Sequence, residues 1–295
     1  MKNNNIEKVS IIMPSNNILS PLTEMSYKFS IQQDYKNLEF LIYLNGMTLI
    51  NKEKIINYLN KHNIYKHDII ILYANYKVSP GKARSELIKA SHGDLIVFID
   101  SDDIPETNLI SSKMKLANDK DLDIICCSAN TFSNLRQYQI GSMKLRTYAI
   151  SLSFLALFGN TFVPLAVNLI PNSGTMIRRK IKNKDVLQRY PNARHEDFIF
   201  YLLLMKNSQY IALIEKPLIA YNVNKQTLTG NKLLSKIWHA KAISKARNIP
   251  LINSVLLTLF GIFILMPVIF VLEKIRLLLK TKSGQNKISF KHINN

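Results

Sequence analysis

Cysteine is nearly missing from this chain. The two residues present, Cys126 and Cys127, are adjacent in LDIICCS, which excludes a CxxC redox pair and a zinc knuckle. As neighbours along a strand they point to opposite faces of a sheet, and they read as small buried hydrophobes in a reducing compartment. Glycine and proline are also sparse, 9 and 10 of 295 residues, and with 47% hydrophobic residues the composition is that of a globular chain with a sizeable core. Acidic residues are outnumbered, 20 against 39 Lys and Arg, for a net charge of +19. That charge favours anionic partners: nucleic acid, anionic lipid or phosphorylated ligands. Nucleic acid is set aside, because no aromatic residues interleave with a basic patch and no nucleic-acid module is recognisable. The polar N-terminus, MKNNNIEKVS, runs directly into a strand and carries no secretory signal, so the main folded region is expected to be cytosolic.

The first hundred residues alternate strand and helix. VSIIMP (9–14) is an apolar run closed by Pro14. Ser20-Pro21 is a cap and first helical position, leading a helix with Leu22, Met25 and Phe29 on one face. LEFLIYL (38–44) is a second strand ended by Asn45-Gly46, and a helix over 49–62 places Ile55, Ile56 and Leu59 at helical spacing. DIIILY (68–73), a helix over 82–91 closed by Gly93, and LIVFID (95–100) follow. Short apolar strands separated by helices predict an α/β fold with a mostly parallel sheet covered on both faces. In such sheets ligands bind beyond the carboxyl ends of the strands, where Asp100, Ser101 and Asp102 lie.

Further along, 122–132 reads as a strand, 153–171 as a broken apolar stretch packed over a binding cleft, and 192–206 as a helix with acids in its first turn. From Asn248 to Leu272 no charged residue occurs. The run is long enough to cross a bilayer, yet both flanks are basic: Lys236, Lys241, Lys245 and Arg247 before it, Lys274, Arg276, Lys280 and Lys282 after it. A single crossing would violate the positive-inside tendency, and Gly261 and Pro267 are expected to break the run into a hairpin or in-plane pair of helices. Membrane attachment from the cytoplasmic side is the reading adopted. Trp238-His239 would lie near that interface.

The densest chemistry is in IVFIDSDDIP (96–105), where an apolar strand meets three carboxylates and Pro105 stops it. Asp100-Ser101-Asp102-Asp103 suits a hard divalent cation, Mn²⁺ or Mg²⁺, which commonly takes one or two protein carboxylates and completes its shell with phosphate and water. Alternate residues at a strand end let Asp100 and Asp102 approach one ligand from one side.

KVSIIMPSNN, SIQQDYKNLEFLIYLNGMT, GKARSELIKASHGDLIVFIDSDDIP and HEDF, in that order and spacing, resemble the family 2 glycosyltransferases of bacterial surface-polysaccharide synthesis. The resemblance covers residues 7–105 well, 171–228 fairly, and is only thematic beyond. It implies the GT-A nucleotide-sugar fold, a catalytic domain over 1–230 (a nucleotide-sugar half to 105, an acceptor half to 230) and a membrane-associated segment over 231–295. The implied reaction is inverting transfer from a nucleoside-diphosphate sugar, UDP-linked by family frequency, to a hydroxyl of a lipid-linked (polyprenyl pyrophosphate) oligosaccharide. The implied place is the cytoplasmic face of the bacterial inner membrane.

The resemblance also assigns roles. Asp102 matches the metal-binding aspartate, and Asp100 the partner contacting ribose and the metal shell, with Ser101 between them in the nucleotide site. Arg84 matches a basic residue near the nucleotide, and Pro14 and Ser15 the turn where the nucleobase sits. Glu196-Asp197 match the acidic pair that supplies the catalytic base, with Asp197 placed first. Arg178, in NSGTMIRR, is a candidate phosphate contact, Lys225 a candidate diphosphate contact, and His195 could assist the base. One departure stands out. Relatives usually carry two acids before the glycine after the second strand, the first bonding the nucleobase, and here the string is Tyr43-Leu44-Asn45-Gly46. Leu44 cannot make that bond, which leaves Asn45 as the candidate. Transfer to polyprenyl phosphate itself, and a degenerate member that binds nucleotide without turnover, are the competing readings.

Overall fold

A computed structural model describes residues 7–16, 19–117, 122–146, 170–180, 184–188, 190–205, 210–223, 232–279 and 287–291. The first half follows the hydrophobic pattern: β1 (Val9–Ser15), α1 (Pro21–Ile31), β2 (Leu38–Asn45), α2 (Leu49–His62), β3 (Asp68–Ala74), α3 (Pro80–Ala90) and β4 (Leu95–Phe98). Each of the three helices begins at a hydroxyl cap. The side chains of Ser20, Thr48 and Ser79 accept from the backbone N–H groups of Thr23, Asn51 and Lys82 and satisfy donors the helix itself cannot. Then come β5 (Ile104–Pro105), α4 (Leu109–Ala117), β6 (Ile124–Phe132), α5 (Leu135–Gln139), β7 (Lys144–Arg146), β8 (Met176–Arg178), α6 (Lys184–Gln188), α7 (Glu196–Met205) and β9 (Tyr210–Asn222). The C-terminal part holds α8 (Lys232–Arg247), α9 (Leu251–Phe260), a π-helical turn (Gly261–Leu265), α10 (Met266–Leu279) and β10 (Lys287–Lys291).

One mixed sheet carries these strands in the order β10-β9-β6-β8-β4-β1-β2-β3, with β5 beside β9 and β7 beside β6. Strands β4, β1, β2 and β3 are mutually parallel, while β8 runs antiparallel between β4 and β6. Because β1 lies between β2 and β4, the chain leaves it in opposite directions, and the crevice beyond its carboxyl end is the place where α/β sheets bind ligands. Ile12 pairs with Phe98, so two residues further on Asp100 comes level with Pro14 at that edge.

The period of two along each strand divides the core into two layers. Ile12, Ile96, Phe98 and Cys126 face α3, α6, α7 and α8, whereas Val9, Ile11, Val97 and Cys127 face α1, α2 and α4. Both faces are covered, as the apolar runs predict, and the two buried, unpaired cysteines point to opposite layers. Burying one Val, Leu, Ile, Phe or Met side chain in either layer contributes about 1.5–3 kcal/mol before chain entropy is counted. Helix α1 differs from expectation. Leu22, Met25 and Phe29 cover only a small side cluster around Ile104 and Phe132, and the fully buried face carries Thr23, Ser26, Tyr27, Ser30 and Ile31. Tyr27 keeps its hydroxyl satisfied against Ser15 Oγ at 2.6 Å.

The C-terminal segment packs onto the same body. Ala242 and Ile243 of α8 and Leu265 and Ile269 beyond it join the layer built by α3 and α7, and β10 adds antiparallel to β9. Gly261 and Pro267 do not break the apolar run. The helix is continuous from Leu251 to Arg276, and the extra residue in the π turn accommodates a proline that lacks an N–H and would crowd the carbonyl four residues earlier. The broken apolar stretch over 153–171 lies outside the described residues except for its last two.

Candidate active site

Strand β4 ends at Phe98, and the next residues form a tight turn in which the Asp103 N–H donates to the Asp100 carbonyl at 3.0 Å. Pro105 does not terminate the chain's pairing. Ile104 and Pro105 form β5 against Ala220 and Ile219 of β9, which fixes the far side of the turn. The turn separates the three carboxylates. Asp103 is buried and accepts from the Asn222 N–H at 2.9 Å, while Asp100 and Asp102 stay partly exposed in the crevice. Burial, together with Asp102 and Asp100, pushes the Asp103 carboxyl well above the usual range. Burial and neighbouring Asp100 push the Asp102 carboxyl up to about 6.

Arg84 organises the edge. It sits one turn into α3, buried at 5% exposure, and its two terminal nitrogens donate to different acids. Nη2 reaches Asp100 Oδ1 at 2.6 Å and Nη1 reaches Glu196 Oε1 at 2.8 Å. The guanidinium carbon lies 5.3 Å from the centroid of Tyr190, which stacks on Phe200 at 4.2 Å with Phe98 edge-on to both. The cation is thus held by two carboxylates and an aromatic floor.

Asn172, just before β8, closes the network. Its amide nitrogen donates to Asp100 at 3.2 Å, and its carbonyl accepts from the hydroxyls of Tyr190 at 3.1 Å and Tyr201 at 3.4 Å. Ser173 Oγ accepts from the Asp100 N–H at 3.3 Å.

Helix α7 brings the second acidic pair to this edge. His195 precedes it with φ of 55°, a left-handed conformation uncommon for a non-glycine residue, and its carbonyl accepts the first helical bond, from Ile199. Glu196 and Asp197 then occupy the first turn, where the helix dipole favours negative charge. Burial raises the Glu196 carboxyl, Arg84 lowers it and Asp197 raises it again, with a net upward direction. Asp197 is half-buried and takes part in no ion pair among the described residues, and its charge reaches the rings of Tyr190, Tyr201 and Tyr221. The His195 ring lies against Trp238 and His239 of α8, with centroids 6.3 and 6.2 Å away.

Close approach of α3 and the segment before α7 depends on Gly81. A Cβ there would lie 1.9 Å from the Pro191 carbonyl oxygen, a backbone atom that cannot swing away. Gly81→Ala is therefore expected to push residues 190–196 off α3, weaken the Arg84–Glu196 pair and lower both thermal stability and turnover. Melting temperature and activity, measured together on the purified variant, check this.

The structure brings together Pro14, Ser15, Arg84, Asp100, Ser101, Asp102, Glu196 and Asp197. It does not bring Arg178. Arg178 pairs across from Leu95, at the amino end of β4, and its guanidinium donates to Glu7 and to the carbonyls of Ala117 and Leu122. Five residues of strand, about 16 Å, separate that position from Asp100. Asn45 is at the correct edge, but its amide is engaged by the Val78 backbone in both directions at 2.8 Å, so it holds the loop entering α3. Lys225 lies outside the described residues. Asn172, Tyr190 and Tyr201 were not legible in the sequence, where only the general likeness around 171–179 hinted at this segment.

Among the described residues no cluster of three metal-ligating side chains occurs. Two partly exposed carboxylates, one of them raised by burial and by the other's charge, nevertheless suit a divalent cation whose remaining ligands come from a bound phosphate and water. Asp100 Oδ1 already accepts from Arg84 and Asn172, so Asp102 is the less engaged of the two.

The chain is similar in sequence to a glycosyltransferase and in fold to structures solved with bound nucleotides. An uncharacterised glycosyltransferase of Haemophilus influenzae is 26% identical over 253 residues, covering 85% of this chain and 93% of that protein. The fold resembles a mannosyltransferase from Pyrobaculum calidifontis solved with GDP-mannose and Mn²⁺, with a TM-score of 0.60 at 14% identity, over 93% of this chain and 76% of that one. It also resembles Staphylococcus aureus TarS 1–349 solved with UDP, with a TM-score of 0.56 at 16% identity, over 86% and 70% of the two chains. These likenesses show the GT-A fold. The model of glycosyl transferase family 2 matches residues 10–182, more than half of the chain and the whole carboxylate edge as far as β8. The chain belongs to glycosyl transferase family 2 and is a glycosyltransferase.

Proposed function

We propose that the enzyme transfers a sugar, with inversion, from a nucleoside-diphosphate donor to a hydroxyl of a lipid-linked oligosaccharide during surface-polysaccharide synthesis, at the cytoplasmic face of the inner membrane. The donor is UDP-linked and the acceptor lipid is a polyprenyl pyrophosphate in this reading. The observation that carries it is the Arg84 bridge, which holds Asp100, after β4, and Glu196, in the first turn of α7 beside Asp197, in one crevice.

The residues divide the work. Pro14 and Ser15, at the end of β1, form the floor for the nucleobase. Asp102 and Asp100, with Ser101 between them, hold a Mn²⁺ or Mg²⁺ ion. Bound there, such an ion supplies charge neutralisation on the departing diphosphate without any proton transfer. Asp197 takes the proton from the acceptor hydroxyl as the oxygen bonds to the anomeric carbon and the bond from that carbon to the diphosphate breaks. The nucleoside diphosphate leaves on the face opposite the attack, so the anomeric configuration inverts. Glu196 is unsuited to that role, since Arg84 holds it at 2.8 Å, and Asp197 keeps a carboxylate free of any ion pair among the described residues.

The test is a transfer assay with a panel of UDP- and GDP-sugars, Mn²⁺ and a bacterial lipid extract, followed by NMR of the product linkage. The expected result is nucleotide release that requires both metal and lipid acceptor, with a product anomer opposite to the donor's. Retention of configuration, or no turnover with any donor, contradicts the reading.

A further inference from the structure

The helix running from Leu251 to Arg276 is apolar in an unusual way. More than half of the exposed large hydrophobic residues among those described lie on it, including Ile252, Leu256, Leu259, Phe263, Phe270 and Val271. Its buried residues form one narrow stripe: Ser254, Thr258, Gly261, Leu265 and Ile269, spaced by three or four. That stripe packs over about 22 Å, at 1.5 Å per residue, first against α8 and then, through Leu265 and Ile269, against the core layer built by α3 and α7. At the far end Arg276 ion-pairs with Glu215 of β9 at 2.8 Å, with Glu273 one turn earlier on the same helix.

Length alone allows a crossing, since 26 residues span about 39 Å against a hydrocarbon core of about 30 Å. Attachment along the whole length does not. A helix seated on a charged domain from its first turn to Arg276 can enter the hydrocarbon only by detaching that stripe and exposing Ser254, Thr258 and the Glu215–Arg276 pair to lipid. Lying flat requires no rearrangement. The helix then sinks its outer apolar surface to the acyl boundary, and the domain beneath supplies the polar face that an interfacial helix ordinarily carries itself.

Charge identifies the partner. Lys236, Lys241 and Lys245 are exposed on α8, the helix packed against this one, and Lys274 is exposed near its end, with no acidic residue exposed on either helix among the described positions. The geometry points to an in-plane, monotopic contact with an anionic lipid bilayer, made by one side of the helix over residues 251–275. This rests on the membrane part of the reading above and is independent of its chemistry. The same packing ties the contact to the active site, because α8 carries Trp238 and His239 against His195 at the start of α7.

The experiment uses the full-length protein. Flotation with vesicles of phosphatidylethanolamine and phosphatidylglycerol is compared with phosphatidylcholine alone, at low and high salt, and membranes from expressing cells are extracted with alkaline carbonate. The expected result is binding that needs the anionic lipid, weakens with salt and is released by carbonate. Phe263→Glu with Phe270→Glu, both at exposed positions, should lower vesicle binding at least about tenfold while leaving the melting temperature unchanged. Leu256→Glu with Val271→Glu should do the same by a separate pair of contacts.

Resistance to carbonate would overturn the in-plane geometry in favour of a spanning helix. Absence of binding to any vesicle would overturn the membrane contact altogether. A vesicle-independent dimer dissociated by the same variants would assign the face to a second copy of the chain. None of these outcomes depends on the transfer assay, so the two readings fail separately.

Discussion

Asp197→Asn is expected to bind the donor nucleotide with wild-type affinity and to lose about 10³-fold in turnover, the usual contribution of a positioned general base. The substitution preserves shape and removes only the ability to accept a proton. Its position supports this separation of effects. Asp197 sits in the first turn of α7, half-buried and outside the Arg84 ion pairs. Donor affinity by titration and single-turnover transfer rates measure the two quantities separately. Normal turnover in the variant would move the base to Glu196, and a matching loss of donor affinity would make Asp197 a binding residue.

Arg84→Met is expected to destabilise the fold by about 3–5 kcal/mol, the range for removing one member of a buried ion-pair network. Methionine fills much of the space, so the loss comes from Asp100 and Glu196, left facing each other without their common cation. The effect depends on pH in a defined direction. Burial already raises Glu196, and Arg84 is the largest influence holding it down, so the variant's Glu196 titrates higher still in the folded state. A folded-state value above the unfolded one means that stability is gained as the group protonates. The deficit is therefore largest at neutral pH and shrinks as pH falls through the raised Glu196 range and towards the ordinary carboxylate range. Denaturant unfolding at several pH values checks this. A deficit independent of pH would show that packing, and not charge, is what Arg84 contributes.

Much of this arrangement is legible in the sequence, for identifiable reasons. Strands β1, β2 and β4 are short apolar runs buried on both faces and β3 is a half-buried apolar run at the sheet edge, so period and length locate them, and an acid just past such a run must lie at the ligand-binding edge. The bridge from Arg84 to Glu196 is not legible, because it joins residues 112 positions apart and no local pattern encodes the approach. Asp103 looks like a third ligand in DSDD, and only the turn closed onto Asp100 and the pairing of β5 with β9 show that it points inward. Arg178 fails as a phosphate contact because β8 runs antiparallel to β4, and strand direction is not written in NSGTMIRR. The buried face of α1 misleads in another way, since the hydroxyl-bearing side chains of Thr23, Ser26, Tyr27 and Ser30 take the core positions that a hydrophobic count assigns to Leu22 and Phe29.

The most direct measurement of the central claim is a calorimetric titration of the purified protein with UDP, GDP and the other nucleoside diphosphates, with and without Mn²⁺, beside Asp102→Ala. The account predicts selective binding of one nucleotide that requires Mn²⁺ and disappears in the variant. Equal affinity in the variant, or no nucleotide binding by well-folded wild-type protein, would contradict it and reduce the carboxylates after β4 to an acidic turn.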